Sequence, residues 1–144
     1  MRDDPGVAIV RPATRADLPA LGRLGALLVR THHAFDSRRF LAASPQTEHG
    51  YASFLGTQLE EAGVVLFVAE REGAVIGYTY AGVEGIDYMA LRGPAGVLYD
   101  IVVDPSHRGH GVGRMLLDAT LDALRTRGVP RVVLSTAEQN DDAQ

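Results

Sequence analysis

Arg108-Gly109-His110-Gly111-Val112-Gly113 sets three alternate glycines beside an arginine. An apolar, strand-like run (Val97 to Val103) precedes it, and an amphipathic, helix-like run (Val112 to Arg127) follows. Glycine lets a backbone approach a ligand closely and turn its N–H groups toward it. A helix starting here adds the positive end of its dipole. Arg108 and Arg114 add full charges and fork-shaped donors. Arg108, Gly109, His110, Gly111, Val112, Gly113 and Arg114 therefore read as a cradle for a pyrophosphate.

The surrounding elements must hold that cradle. Val7 to Val10 reads as a short strand ended by Pro12, and Thr14 as the N-cap of a first helix reaching about His32. Asp36 opens a short helical turn through Leu41, and Ser44 to Thr47 is loop. A second helix runs from about Glu48 to Ala62 and ends near Gly63. Val64 to Arg71 and Ala74 to Val83 read as strands joined by a Glu72-Gly73 turn. Tyr78 and Tyr80 fall on one face of the second. Gly82 to Gly96 is glycine-rich and reads as a mobile loop. Gly96 to Asp104 is a central strand closed by Pro105. In the long helix Val112, Met115, Leu116, Ala119 and Ala123 keep helical spacing, Gly128 ends it, and Arg131 to Thr136 is a last strand. The order β-α-α-β-β-β-α-β is a mixed α/β (α+β type) layout, with the strands flanking the long helix parallel.

Composition narrows the classes. A chain of 144 residues, 46% hydrophobic and 22% charged, reads as one soluble domain spanning 1–144. A net charge of −4 argues against general nucleic-acid binding. There are no cysteines, which excludes disulfides and a cysteine nucleophile. No apolar run approaches the roughly 20 residues of a membrane span. Met1-Arg2-Asp3-Asp4-Pro5 lacks the apolar centre of a signal peptide, so the expected location is cytoplasmic with no membrane partner. No His/Asp/Glu group has metal-ligand spacing, and no metal is expected.

Three phosphate-binding loops compete for the motif. A P-loop needs a lysine and a hydroxyl that are absent here. A dinucleotide fold needs G-x-G-x-x-G early in a βαβαβ series, whereas Gly109-x-Gly111-x-Gly113 comes late. The third fits. Val103-Asp104-Pro105 followed by Arg108, Gly111 and Gly113 resembles the acetyl-CoA signature of the GCN5-related N-acetyltransferases, R/Q-x-x-G-x-G/A after a strand ending in V-x-P. The order of elements resembles that family along almost the whole chain.

The resemblance implies the fold, the co-substrate and the reaction. Acetyl-CoA would lay its pyrophosphate on the 108–114 loop. Its pantetheine arm would pair, strand-like, with Ile101, Val102 and Val103. A backbone N–H of Val102 or Val103 would stabilise the oxyanion of the attacked thioester. The acetyl group would pass directly to an amine that has lost a proton. Asp100, Tyr99 and Glu84 are the candidate catalytic side chains. By strand alternation Tyr99 shares a face with Ile101 and Val103, and Asp100 shares the other with Leu98. Ser135 stands where some relatives carry a glutamate.

Ala137 to Ala143 resembles the start of the family's last motif, with Asn140 at the pantetheine. The sequence stops at Gln144, so the resemblance implies a truncated or shortened domain whose last strand leaves an open edge, an invitation to a homodimer. The acceptor is expected near His32, His33, Asp36, Arg38, Arg39, Tyr51 and the stretch Ile86-Asp87-Tyr88-Met89. It is a small-molecule or peptide amine. The competing reading is an acyl-CoA-binding module of the same fold without turnover.

Overall fold

The computed structural model describes residues 6–35, 44 and 46–134. In chain order the elements are β1 (Ile9–Pro12), α1 (Leu18–Phe35), α2 (Thr47–Gln58), β2 (Val64–Arg71), β3 (Ala74–Glu84), β4 (Ala95–Val103), α3 (Val112–Thr126) and β5 (Val132–Leu134). The strands form one sheet in the order β1-β2-β3-β4-β5. The first three pairings are antiparallel; β4 and β5, on either side of α3, are parallel as expected.

Two apolar layers sandwich the sheet. On one face Leu21 and Leu24 of α1 and Leu55 of α2 pack on Leu66, Val68, Tyr78 and Val102. On the other, Val112, Leu116 and Leu124 of α3 pack on Ala69, Ile76, Val65, Ala81 and Leu98. The buried stripe of α3 repeats every four residues: Val112, Leu116, Thr120 and Leu124. Met115, expected inside, is 37% exposed. Thr120 faces Thr79 of β3, and their hydroxyls bond at 2.7 Å in the core.

Several element boundaries differ from expectation. β1 lies two residues later than expected and includes Pro12, which an edge strand tolerates because its outer N–H needs no partner. Thr14 precedes a 3-10 turn, Arg15–Asp17, before α1 begins. There Asp17 accepts from the Thr14 backbone N–H and, through both oxygens, from Arg11, which ties β1 to the start of α1. α2 stops at Gln58, short of the expected Ala62. The 85–94 loop is pinned rather than loose: Asp87 and Arg92 exchange backbone hydrogen bonds at 2.9 and 3.0 Å. The Asp36–Leu41 turn, Arg38, Arg39, Pro45, Ser135, Thr136 and Asn140 lie outside the described residues.

The α1–α2 pair is drawn together by glycine. A Cβ on Gly22 would lie 2.4 Å from the Glu48 carbonyl oxygen of α2, and one on Gly25 would lie 2.3 Å from Cδ1 of Tyr51. Alanine usually favours a helix over glycine by about 1 kcal/mol. Gly22→Ala is nevertheless expected to lower stability by about 1–3 kcal/mol, because the clash is with backbone and the two helices must separate. Urea denaturation of the variant against wild type measures this.

Candidate functional site

The glycine loop takes the form the sequence implied. Gly109 and Gly111 have φ of +83° and +80°, which favour glycine. Open space surrounds both Cβ positions. Gly111 is the N-cap of α3, and no side chain caps it. Met115 N–H donates to the Gly111 carbonyl at 3.0 Å, which closes the first turn of α3. The amides of the first turn thus face outward at the positive end of the dipole. Ahead of the loop, Pro105–His107 forms a 3-10 turn capped by the Asp104 side chain on the Ser106 N–H. Arg108 is exposed, and its Nε donates to the Val103 carbonyl at 3.1 Å. Arg114, also exposed, leans 3.4 Å from Asp118. The loop thus presents backbone amides first, with exposed arginines at its rim.

The edge of β4 beside the cradle can be read from its ladder. Asp104 N–H donates to the Ile76 carbonyl at 2.8 Å, and the register runs unbroken through Gly77↔Val103, Tyr78↔Val102 and Thr79↔Ile101. In an antiparallel pair the residues alternate between bonding the partner strand and bonding away from it. Val102, in phase with Asp104, therefore directs its amide to β3. Ile101 and Val103 direct theirs to the opposite edge, and the Arg108 contact with the Val103 carbonyl agrees. Of the two expected oxyanion donors, Val102 thus has its amide engaged by β3, and Val103 directs its amide outward. β5 accompanies β4 only along Gly96, Val97 and Leu98. Among the described residues, no strand pairs with the outer edge from Tyr99 to Val103.

A second correction concerns the faces of β4. The register slips between Tyr80 and Ala81, which oppose Asp100 and Leu98, so Tyr99 is an extra residue. A bulge breaks the two-residue alternation. Leu98 packs beneath α3 with Ile101, and Val103 also faces α3. Tyr99 and Asp100 both turn to the α1–α2 face, contrary to the alternation expected from sequence. There the Tyr99 ring lies 4.8 Å from that of Tyr80, which meets Phe54 edge-on at 5.8 Å.

Asp100 is the most unusual group on that face. Its Oδ2 accepts from Tyr51 of α2 at 2.8 Å and from Tyr78 of β3 at 3.0 Å. Burial pushes its carboxyl above the ordinary aspartate value, while the two hydroxyls and the nearby His32 oppose the rise. Burial and the Asp100 charge raise both tyrosines, so each keeps its proton.

Glu84, at the end of β3, has the opposite character. It accepts from the Tyr99 hydroxyl and pairs with Arg92 at 2.8 Å; both hold its carboxyl below the ordinary range. Arg92 also sits 3.8 Å from Asp87, which fixes the loop. Tyr80 donates to Gln58 of α2 at 2.9 Å. Three expected acceptor-side residues, Ile86, Tyr88 and Met89, are exposed on that loop.

The sequence reading missed the union of Tyr51, Tyr78 and Asp100, and the Arg92 clamp. A carboxylate inside a tyrosine-bearing strand pair was the available signal; only the bulge shows that the groups meet.

Residues 29–144 match the profile described as the Acetyltransferase (GNAT) family. A mycothiol acetyltransferase of Thermobispora bispora is 42% identical over 81 residues, 54% of this chain. The matched region spans only 26% of that enzyme's length. Among solved structures, a mutant Bacillus halodurans protein superposes with a TM-score of 0.82 at 20% identity, covering 94% of this chain and 86% of that one. An aminoglycoside N-acetyltransferase crystallised with coenzyme A superposes with a TM-score of 0.73 at 18% identity, over 100% of this chain and 86% of that one. Both likenesses are of fold.

Gly111→Asp tests the cradle. Aspartate tolerates a positive φ better than most residues, and open space surrounds the Cβ position, so the fold should persist. Its charge would face a pyrophosphate at a cost of about 3 kcal/mol, which corresponds to an acetyl-CoA affinity about a hundredfold weaker. Calorimetric titration of acetyl-CoA into variant and wild type checks this; unchanged affinity refutes the cradle.

Proposed function

The chain belongs to the Acetyltransferase (GNAT) family, and we propose that it moves an acetyl group from acetyl-CoA to a primary amine by direct attack. The observation that carries this reading is the continuity of two backbone surfaces. The uncapped N-terminus of α3, with Gly109 and Gly111 before it, adjoins an outward-facing β4 edge that offers the Ile101 and Val103 amides. A ligand with a pyrophosphate at one end and an amide-bearing arm at the other fits such a surface, and acetyl-CoA is that ligand. The coenzyme A bound by the aminoglycoside N-acetyltransferase supports the assignment.

In this reading the loop amides and Arg108 take the pyrophosphate. Val103 pairs with an amide of the pantetheine arm. Ile101, two residues further from the loop and about 6.7 Å along the strand, donates to the thioester carbonyl and holds the oxyanion as the amine attacks. The acceptor enters on the α1–α2 face, where Asp100, Tyr99 and Glu84 lie. Asp100 is the base. It takes one proton from the ammonium; the lone pair attacks the acetyl carbon; the carbon–sulfur bond breaks; the nitrogen's second proton goes to the departing thiolate. Glu84, held by Arg92 and Tyr99, stays ionised and attracts the cationic acceptor.

Titration with acetyl-CoA, with NAD and ATP as controls, tests the ligand. Release of coenzyme A in the presence of a primary alkylamine, an amino sugar and a peptide with a free N-terminus tests the reaction. Selective binding with release supports the proposal. Binding without release on a broad panel supports a non-catalytic acyl-CoA module instead.

Asp100→Asn separates chemistry from stability. The folded carboxyl titrates above its unfolded value, so the native state binds the extra proton between the two. Stability therefore falls as pH rises through that window, and the ionised group weakens the fold at pH 7. The asparagine variant should melt at the same or a higher temperature than wild type at pH 7. Its turnover should fall by about a hundredfold or more, the usual worth of a positioned base. Thermal denaturation and coenzyme A release, measured on the same preparation, check both.

A further inference from the structure

We propose that Tyr51 is a proton relay between the acceptor amine and Asp100, and that Tyr78 is the positioning residue that fixes the carboxylate for it. The inference rests on Asp100 being the base of the proposed reaction.

The two tyrosines donate to the same oxygen, Oδ2, from different elements and at nearly equal distance. Their surroundings differ. Tyr78 is fully buried in the sheet core, at 0% exposure, and no acceptor can reach it. Tyr51, on α2, is only partly buried and belongs to the helical layer that borders the acceptor face. Its ring is fixed from the other side by α1, where Gly25 leaves room that any Cβ would fill. Asp100 is partly buried like Tyr51, but its Oδ2 carries both tyrosine hydroxyls, so an ammonium group approaching along α2 meets it through the Tyr51 hydroxyl already bonded to it.

The step balances without any co-reactant. An ammonium N–H bond breaks and its proton moves to the Tyr51 oxygen. The Tyr51 O–H proton moves at the same time to Asp100 Oδ2. Tyr51 ends as it began, Asp100 ends neutral, and the amine has its lone pair. A concerted passage is required because burial and the Asp100 charge both disfavour a free Tyr51 anion. The groups bearing on Asp100 are Tyr51 from α2, Tyr78 and Tyr80 from β3, and His32 from α1.

Tyr51→Phe and Tyr78→Phe test the division of roles, because each removes one hydroxyl bond from the same oxygen and little volume. Turnover is followed against pH with the three amines named above, and acetyl-CoA affinity by calorimetry. Tyr51→Phe should lose about a hundredfold in kcat with acetyl-CoA affinity within twofold of wild type. Tyr78→Phe should keep at least about a tenth of kcat while the acid limb of its pH profile moves to higher pH, since a donor that favours the charged form is gone. Tyr51→Phe within threefold of wild type, or equal losses in the two variants, overturns the relay. If Asp100→Asn turns over normally, the base assignment fails and the relay with it. If Asp100→Asn is inactive while Tyr51→Phe is active, the relay alone fails. A wild type that acetylates none of the amines overturns both.

Discussion

One extra residue in β4 organises the face on which the reaction is proposed to occur. Without the bulge at Tyr99, regular alternation would send Tyr99 and Asp100 to opposite sides of the sheet. With it, both polar side chains reach the helical layer, and Leu98, Ile101 and Val103 still pack toward α3. The sheet thereby keeps an apolar underside beneath α3 and a tyrosine- and carboxylate-bearing upper side beneath α1 and α2. A bulge also increases local twist. It lies directly beyond the last described β4–β5 pair, Leu98↔Leu134, so the irregularity falls where the outer edge of β4 becomes open.

The helical layer depends on small residues to meet that face. Gly22 and Gly25 let α2 close on α1, and the closeness brings Tyr51 over the sheet to Asp100. Two elements, α2 and β3, thus converge on one carboxylate oxygen of a third, β4. Asp100 and Glu84 show how environment separates two carboxylates on one face. Burial raises the first, whereas a tyrosine hydroxyl and an arginine lower the second. The first environment favours the protonated carboxyl and the second the charged one.

Local signals were legible in the sequence where local chemistry decides the structure. The glycine conformations of the Arg108–Gly113 loop, the extent of α3 and the Glu72-Gly73 turn follow from glycine's freedom and from helical spacing, whereas the buried stripe of α3 keeps only Val112 and Leu116 of the expected set and adds Thr120 and Leu124. The parallel β4–β5 pair followed from the intervening helix. What was not legible comes from register. Nothing in Leu98-Tyr99-Asp100-Ile101 announces an inserted residue, so the faces of Tyr99 and Asp100 were read from an alternation that does not hold there. Val102 and Val103 look equivalent in sequence; only the phase of the β3–β4 ladder assigns their amides to different sides. The pinned 85–94 loop was obscured for a similar reason. Its glycines suggest mobility, while its order comes from Arg92 reaching back to Glu84 and Asp87.

The threonine pair beneath α3 has a consequence for alignment. Thr79 and Thr120 bond in an otherwise apolar interface, and leucines alone would tolerate a helix sliding along the sheet. A slide of one turn, about 5.4 Å, would strand the Thr79 hydroxyl in the core at about 1–3 kcal/mol, whereas Thr120 would keep its bond to the Leu116 carbonyl of its own helix. Thr120 is eight residues from Val112, so the contact acts about 12 Å behind the helix start. It works as a dowel, keeping the mouth of the helix level with the outward amides of β4. The spacing between the two halves of the proposed ligand surface is in this way set by a contact buried beneath the helix, away from both.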